Sequence, residues 1–294
     1  ALSSAASDVY KRQSRYIKTP VGTSSYRNME QQRLTAPLRT VIIGSGNVAS
    51  TIAPALEKAG AIDVVAVYSP TPDHASALAG ELRHAVAVSD PANVPANAEF
   101  YLIAVKDDAV QSVASTLPPN PDAIWAHTSG GVDASALSPL SGRYGVFYPL
   151  QTFTKGVTTD MAEVPVFIEA NSKSDTELLK AIASKMTPKV YEADSDTRCR
   201  MHAAAVFACN FTNHLWAIAD DILRRETGTD LSVLHPLLKE TLRKALSCRP
   251  AEVQTGPAAR GDRGIIEKHA SLLPQEEADL YRLLSEKILT YHSR

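Results

Sequence analysis

Residues 41–49 read Val-Ile-Ile-Gly-Ser-Gly-Asn-Val-Ala, a G-x-G-x-x-A pattern directly after a run of β-formers. The chemistry this spacing suits is the binding of a diphosphate. Gly44 permits a tight turn off the strand, Gly46 lets backbone N–H groups approach a pyrophosphate, and Ala49 keeps the following helix close to the sheet. The positive end of that helix favours the negative charge. Gly44, Ser45, Gly46, Asn47, Val48 and Ala49 are therefore the candidate cofactor-binding turn, a glycine turn of purely structural purpose being the alternative. The pattern alone is weak, but here it sits between a strand and a helix in the first crossover unit.

The end of the second strand decides which dinucleotide fits. An acid about 20 residues past the turn would hold the ribose hydroxyls of NAD. The chain instead reads Tyr68-Ser69-Pro70-Thr71-Pro72, with no acid before Asp73. The hydroxyls of Ser69 and Thr71 can donate to the extra phosphate of NADP, although no Arg is present to pair with it. NADP is expected over NAD.

Two more strand ends offer side chains to the crevice where ligands of open α/β sheets lie. Val105 is expected to pack near the adenosine or nicotinamide side. Lys106 either reaches a phosphate or is a solvated loop charge. His127-Thr128-Ser129-Gly130-Gly131 supplies the Ser129 hydroxyl, with Gly130 and Gly131 allowing close backbone approach to a nicotinamide ring or substrate; an ordinary turn is the alternative.

Farther on, residues 200–214 form a helix apolar nearly all round, of the kind buried in a domain core or a subunit interface. His202 and Asn210 are costly there unless paired. Eight residues apart, they fall within about 80° on a helical wheel. A His so placed serves as general acid to a carbonyl or imine that takes hydride, and Asn orients the substrate oxygen. Both residues satisfying core backbone groups is the other reading. Asn213 and His214 read as cap or interface residues. In the Pro/Gly-rich stretch 254–262, Arg260 offers a planar fork for a carboxylate or phosphate, unless it is clasped by Asp262.

The elements that position these groups follow from periodicity. Apolar runs at residues 39–43, 62–68, 85–88, 100–105, 123–127, 145–148, 164–169 and 188–191 read as strands, and helical patterns separate most of them. Strands alternating with helices imply a parallel sheet covered on both faces. From about residue 194 the pattern is helical throughout (198–225, 231–247 and 274–291), with one long break at 248–264. The expected fold is thus α/β: a Rossmann doubly wound parallel sheet over residues 39–193, then an all-α substrate and dimerisation domain over 194–294.

The chain has 294 residues, is 44% hydrophobic and carries a formal net charge of −2, so wholesale disorder is excluded and no field recruits nucleic acid or an anionic membrane. Three scattered cysteines, Cys199, Cys209 and Cys248, lack metal-ligand spacing and fit a reducing, cytoplasmic setting. The longest stretch free of Asp, Glu, Lys and Arg, residues 201–219, is too polar for a membrane span. Residues 1–38 read as a disordered tail. Its segment 3–13 resembles the translation of a sequencing adapter, a transit peptide being the alternative, and Met29 is a plausible start.

From residue 38 onward the chain resembles a bacterial family of Rossmann-like proteins with a C-terminal domain of unknown function, whose members are named NADP oxidoreductases. The pieces that carry the resemblance are residues 44–49, His127-Thr128-Ser129-Gly130, Tyr148-Pro149-Leu150-Gln151-Thr152-Phe153, residues 202–213 and residues 255–262. More remotely it is similar to the β-hydroxyacid dehydrogenase, ketopantoate reductase and pyrroline-carboxylate reductase group. That similarity implies a Rossmann domain, a helical dimerisation domain and a site between them. Ser129-Gly130-Gly131 is similar to the Ser-Gly-Gly substrate loop of the hydroxyacid dehydrogenases. Those enzymes carry a catalytic Lys four residues before an Asn, whereas Val206 precedes Asn210 here. His202 is then the nearby proton donor. Deazaflavin-coupled transfer has no separate residue signature.

The resulting expectation is an NADP-dependent oxidoreductase that transfers hydride to or from a small, anionic carbonyl or imine. The substrate would lie between the two domains, held by Ser129, His202, Asn210, Arg260, Gly130 and Gly131, in a homodimer. The alternative is a dinucleotide-binding sensor or scaffold that never turns over.

Overall fold

The computed structural model describes residues 36–292; the expectations for segment 3–13 and for Met29 lie outside the described residues. The described chain forms two compact units, one running to Phe207 and the other beginning at Ala208.

The first unit is built on eight strands: β1 (Leu38–Ile43), β2 (Ile62–Tyr68), β3 (Val86–Val88), β4 (Phe100–Ile103), β5 (Ile124–His127), β6 (Tyr144–Pro149), β7 (Val166–Ala170) and β8 (Val190–Glu192). Helices α1 (Asn47–Lys58), α2 (Pro72–Ala79), α3 (Val110–Thr116), α4 (Lys173–Ser184) and α5 (Ser195–Ala205) complete it. The sheet order is β3-β2-β1-β4-β5-β6-β7-β8. The first six strands carry the doubly wound order 3-2-1-4-5-6, so the direction of winding reverses between β1 and β4. Both faces are buried: Ile42, Ile52, Leu56 and Leu102 pack in one apolar cluster, and Val41, Ile43, Tyr101 and Trp125 in another. The continuous apolar strands were written for this double burial.

One pairing departs from an all-parallel sheet. β7 runs antiparallel to β6, and β8 then runs parallel to β7. The reason lies in the link between β6 and β7, which contains a short 3₁₀ turn (Met161–Glu163) but no crossover helix. A parallel return needs such a crossover; this link simply folds back.

The chain then continues from α5 through a π-helical turn (Val206–Phe211) into α6 (Thr212–Thr227). The single helix expected over 198–225 is therefore interrupted. A π turn widens the helix and shifts later residues around the axis.

The second unit contains α6, α7 (His235–Ser247), α8 (Arg263–Ala270) and α9 (Gln275–His292). Its buried apolar residues are small or few: Ala258, Ile266, Ala270 and Ala278. Of the domain core or subunit interface expected to bury residues 200–214, a core is not formed among the described residues, since Phe207 and Phe211 are 70% and 49% exposed. The expected break at 248–264 also closes early. Asp262 accepts a hydrogen bond from Ile265 N at 3.3 Å and caps α8, which opens at Arg263. Among the described residues no helix is long and apolar enough to cross a membrane.

Candidate functional site

The glycine turn stands at the carboxyl ends of β1 and β4, where the winding reverses. Gly44 N donates to Tyr68 O at 2.8 Å, and Ala104 N donates to Ile43 O at 2.7 Å, so the turn is pinned from both neighbours. Gly44 has φ +108°, and a Cβ there would lie 2.4 Å from the Ala104 carbonyl oxygen. Only glycine tolerates both conditions. Gly46 is different: a Cβ would meet nothing within 4 Å, and the residue is exposed. It occupies the N-cap of α1 and brings no side chain to accept the free N–H groups of the first turn. Ala49 is buried against the sheet. The turn therefore presents open space and unspent donors, which fits a pyrophosphate.

The other proposed cofactor contacts distribute unevenly. Ser69 is buried and its Oγ accepts from Thr71 N at 3.4 Å, while Thr71 is exposed at the N-cap of α2 without a side-chain cap bond. Val105 follows β4 half-buried, near the turn, with its Cγ1 3.1 Å from the Cβ position of Gly44. Lys106 is exposed.

Residues 127–133, after β5, form a tightly tied turn. Ser129 N donates to His127 Nδ1 at 3.2 Å, so the ring proton resides on Nε2 and points to the Asp133 carbonyl at 3.3 Å. Burial, then the charge of Arg198, lowers the His127 pKa to about 4. The ring is thus neutral and structural. Ser129 Oγ accepts from Gly131 N at 3.1 Å and Val132 N at 3.0 Å. Its hydroxyl oxygen shapes the turn.

Helix α5 grips this turn at two points, four residues apart on one face. Arg198, 1% exposed, donates to the Val132 carbonyl and pairs with Glu169. One turn on, His202 lies against Gly130: a Cβ on Gly130 would sit 2.7 Å from His202 Cγ and Nδ1. The same Nδ1 is 2.9 Å from the Tyr148 hydroxyl, near the end of β6. Burial, and next the negative charge of Asp107, push the Tyr148 phenol up to about 12, so it stays protonated. A histidine joined to a neutral phenol, pressed on a glycine backbone at the carboxyl edge of the sheet, is equipped to pass a proton.

Of the expected substrate-side residues, His202, Ser129, Gly130 and Gly131 come together in the first unit. Asn210 lies in the π turn, exposed, and belongs with Arg260 to the second unit. Arg260 is exposed and makes no ion pair among the described residues; the alternative clasp to Asp262 is not formed, because that carboxylate caps α8. Tyr148 was not singled out for chemistry by sequence reasoning. A polar aromatic near the end of a buried strand was the available signal. Among the described residues no cluster of His, Cys, Asp and Glu is arranged to hold a metal ion.

Two family models match the chain, the second of them running across the boundary between the units. The family described as NADP oxidoreductase, coenzyme F420-dependent, matches residues 39–125, and the domain of unknown function DUF2520 matches residues 164–288. Among solved structures, BF3122 from Bacteroides fragilis, provisionally named an NADP oxidoreductase, is 38% identical. That match covers 88% of this chain and 99% of the other, with a TM-score of 0.79. Protein TM1727 from Thermotoga maritima is 20% identical over 87% of this chain and 100% of its own, with a TM-score of 0.69. An imine reductase from Streptomyces aurantiacus is 14% identical over 85% and 93%, with a TM-score of 0.58. The last two show the shared fold. No curated protein matches the chain.

Proposed function

Because the chain belongs to the family of the Bacteroides fragilis protein BF3122, we propose that it is an NADP-dependent oxidoreductase of the reductase group, moving hydride between its cofactor and a small carbonyl or imine compound. The observation that carries the chemical half of this reading is the Tyr148–His202 hydrogen bond of 2.9 Å beside Gly130.

Residues 44–49 and the N-terminus of α1 hold the diphosphate. Thr71, with Ser69 behind it, lies at the strand end where the 2′-phosphate is read. NADP, when bound, supplies or accepts the hydride. In its charged form the His202 ring donates Nδ1–H to the Tyr148 oxygen and keeps a second proton on Nε2. That Nε2 proton goes to the substrate oxygen or nitrogen as hydride arrives, and the neutral ring left behind still donates Nδ1–H to Tyr148. Ser129 acts through the turn, by holding the N–H groups of Gly131 and Val132. The exposed leucines of α7 support a homodimer formed through the second unit, because such surface is covered in a stable protein.

The test is isotope transfer. The protein is incubated with 4-deuterated NADPH and a cell metabolite extract, and mass spectrometry looks for a deuterated product. His202→Ala is expected to abolish the label while NADPH affinity, read by fluorescence, stays within twofold. Tyr148→Phe is expected to lower the rate about tenfold. Tight NADPH binding with no label in any product would instead make the protein a dinucleotide-binding sensor or scaffold.

A further inference from the structure

The charge beside the diglycine turn points to the class of substrate. Asp107 follows β4 in the turn that leads to α3, and its Oδ2 lies 3.5 Å from the Cβ position of Gly131. Gly131 is exposed and adjoins Gly130, against which the His202 ring rests. Asp107 is itself exposed, and its carboxylate has neither a hydrogen bond nor an ion pair among the described residues. It stands ready to accept.

Two other charges beside the turn, Arg198 and Asp133, are already engaged. Arg198 is buried and spends its guanidinium on Glu169, Ser195 and the Val132 carbonyl. Asp133 accepts from Ser135 N at 2.8 Å and Ser135 Oγ at 2.6 Å. His127 is neutral by burial. Lys106 and Asp108, which flank Asp107 in sequence, are exposed charges of opposite sign. The field of Asp107 reaches the Tyr148 phenol, where it adds to the effect of burial in disfavouring the phenolate.

We propose that Asp107 makes this site selective for a cationic reactant: an imine reduced as its protonated iminium, or in reverse an amine, in preference to a neutral ketone or a keto acid. This rests on the hydride-transfer reading and names its substrate class. The balance is simple. The imine nitrogen takes a proton from His202 Nε2, giving C=N–H⁺ beside the Asp107 carboxylate. Hydride from NADPH then bonds to the carbon, the π pair withdraws onto nitrogen, and the products are the amine and NADP⁺. A carboxylate near the cation stabilises it and repels an anionic substrate.

The probes are 2-methyl-1-pyrroline, 2-methylcyclopentanone and levulinate as oxidants of 4-deuterated NADPH, and 2-methylpyrrolidine and 2-methylcyclopentanol as ligands of the protein saturated with NADP⁺. Calorimetry is expected to show the pyrrolidinium binding more tightly than the alcohol. Asp107→Asn should weaken the pyrrolidinium at least tenfold, leave the alcohol and NADP⁺ within twofold, and Asp107→Glu should recover most of the loss. Label transfer to the pyrroline should fall in parallel. The inference is overturned if the pyrrolidinium does not bind, if the alcohol binds as well, or if Asp107→Asn changes cation affinity less than twofold. Label appearing in levulinate or the ketone rather than the pyrroline also overturns it, while leaving the oxidoreductase reading intact. Absence of label from every probe and from the metabolite extract defeats that reading instead, and the calorimetric arm still decides whether Asp107 selects cations.

Discussion

The two units differ in what they bury. In the first, β-strands and helices enclose apolar clusters in which Ile42, Ile52, Leu56, Leu102 and Trp125 are fully buried. In the second, α7 leaves Leu237, Leu242 and Leu246 at 61%, 58% and 79% exposure. Its own helices do not supply a core of the size a domain of about 85 residues needs. The first unit thus holds its site by internal packing, whereas the second presents apolar surface that calls for cover. A sheet buries two faces within one chain; a few helices with apolar stripes need something to face.

The contrast can be broken at several points. The largest effect is expected for Gly44→Ala. The strain of a positive φ and the clash with Ala104 each cost about 1–3 kcal/mol, so denaturant unfolding of the first unit should lose about 4 kcal/mol and NADPH binding should vanish. An unchanged midpoint would mean that the turn is not held as tightly as the geometry states.

Acid comes next. The folded state keeps His127 neutral, with its pKa lowered to about 4 by burial and then by Arg198, while the unfolded residue titrates near 6.5. The unfolded chain therefore binds more protons between these values. Stability is full above pH 6.5 and falls as pH drops toward 4, by roughly 3 kcal/mol from this one group. Urea titrations at pH 7 and 4.5 check it, and His127→Gln should flatten the difference.

Gly130→Ala sharpens the argument for the site. The added methyl would lie 2.7 Å from His202 Cγ, so the ring must move. Hydride transfer should fall about 100-fold, because small misplacements of a catalytic group carry penalties of that order. NADPH affinity should hold within twofold.

The smallest effect on the first unit should come from Leu242→Glu with Leu246→Glu. If the second unit stands alone, both are surface changes worth within about 0.5 kcal/mol and the mass in solution is unchanged. The expectation here is that light scattering shows a dimer become a monomer.

Much of the fold was legible. Each strand is a short run of β-branched and aromatic residues, and α1 follows its glycine turn as the motif demands, because local sterics and burial act on neighbours in sequence. The antiparallel β7 was less so, although the lack of a helical period between residues 150 and 165 was the available signal. Helix α8 was hidden by the prolines and glycines before it, yet Asp262 three residues ahead of Ile265 is an N-cap spacing. For the site, His202 was visible as a polar intruder in an apolar helix. Tyr148, 54 residues earlier, was not, since nothing local ties a strand-end phenol to that imidazole.

Order along the chain was enough to specify the parallel core, the diphosphate turn and the change to helices, all of which follow from patterns within a few residues. Tertiary packing alone brought Tyr148, Gly130, Asp107 and His202 to one edge of the sheet and left the leucines of α7 uncovered. Such meetings depend on how strands stack and which faces remain, and that information is shared among segments far apart in the chain.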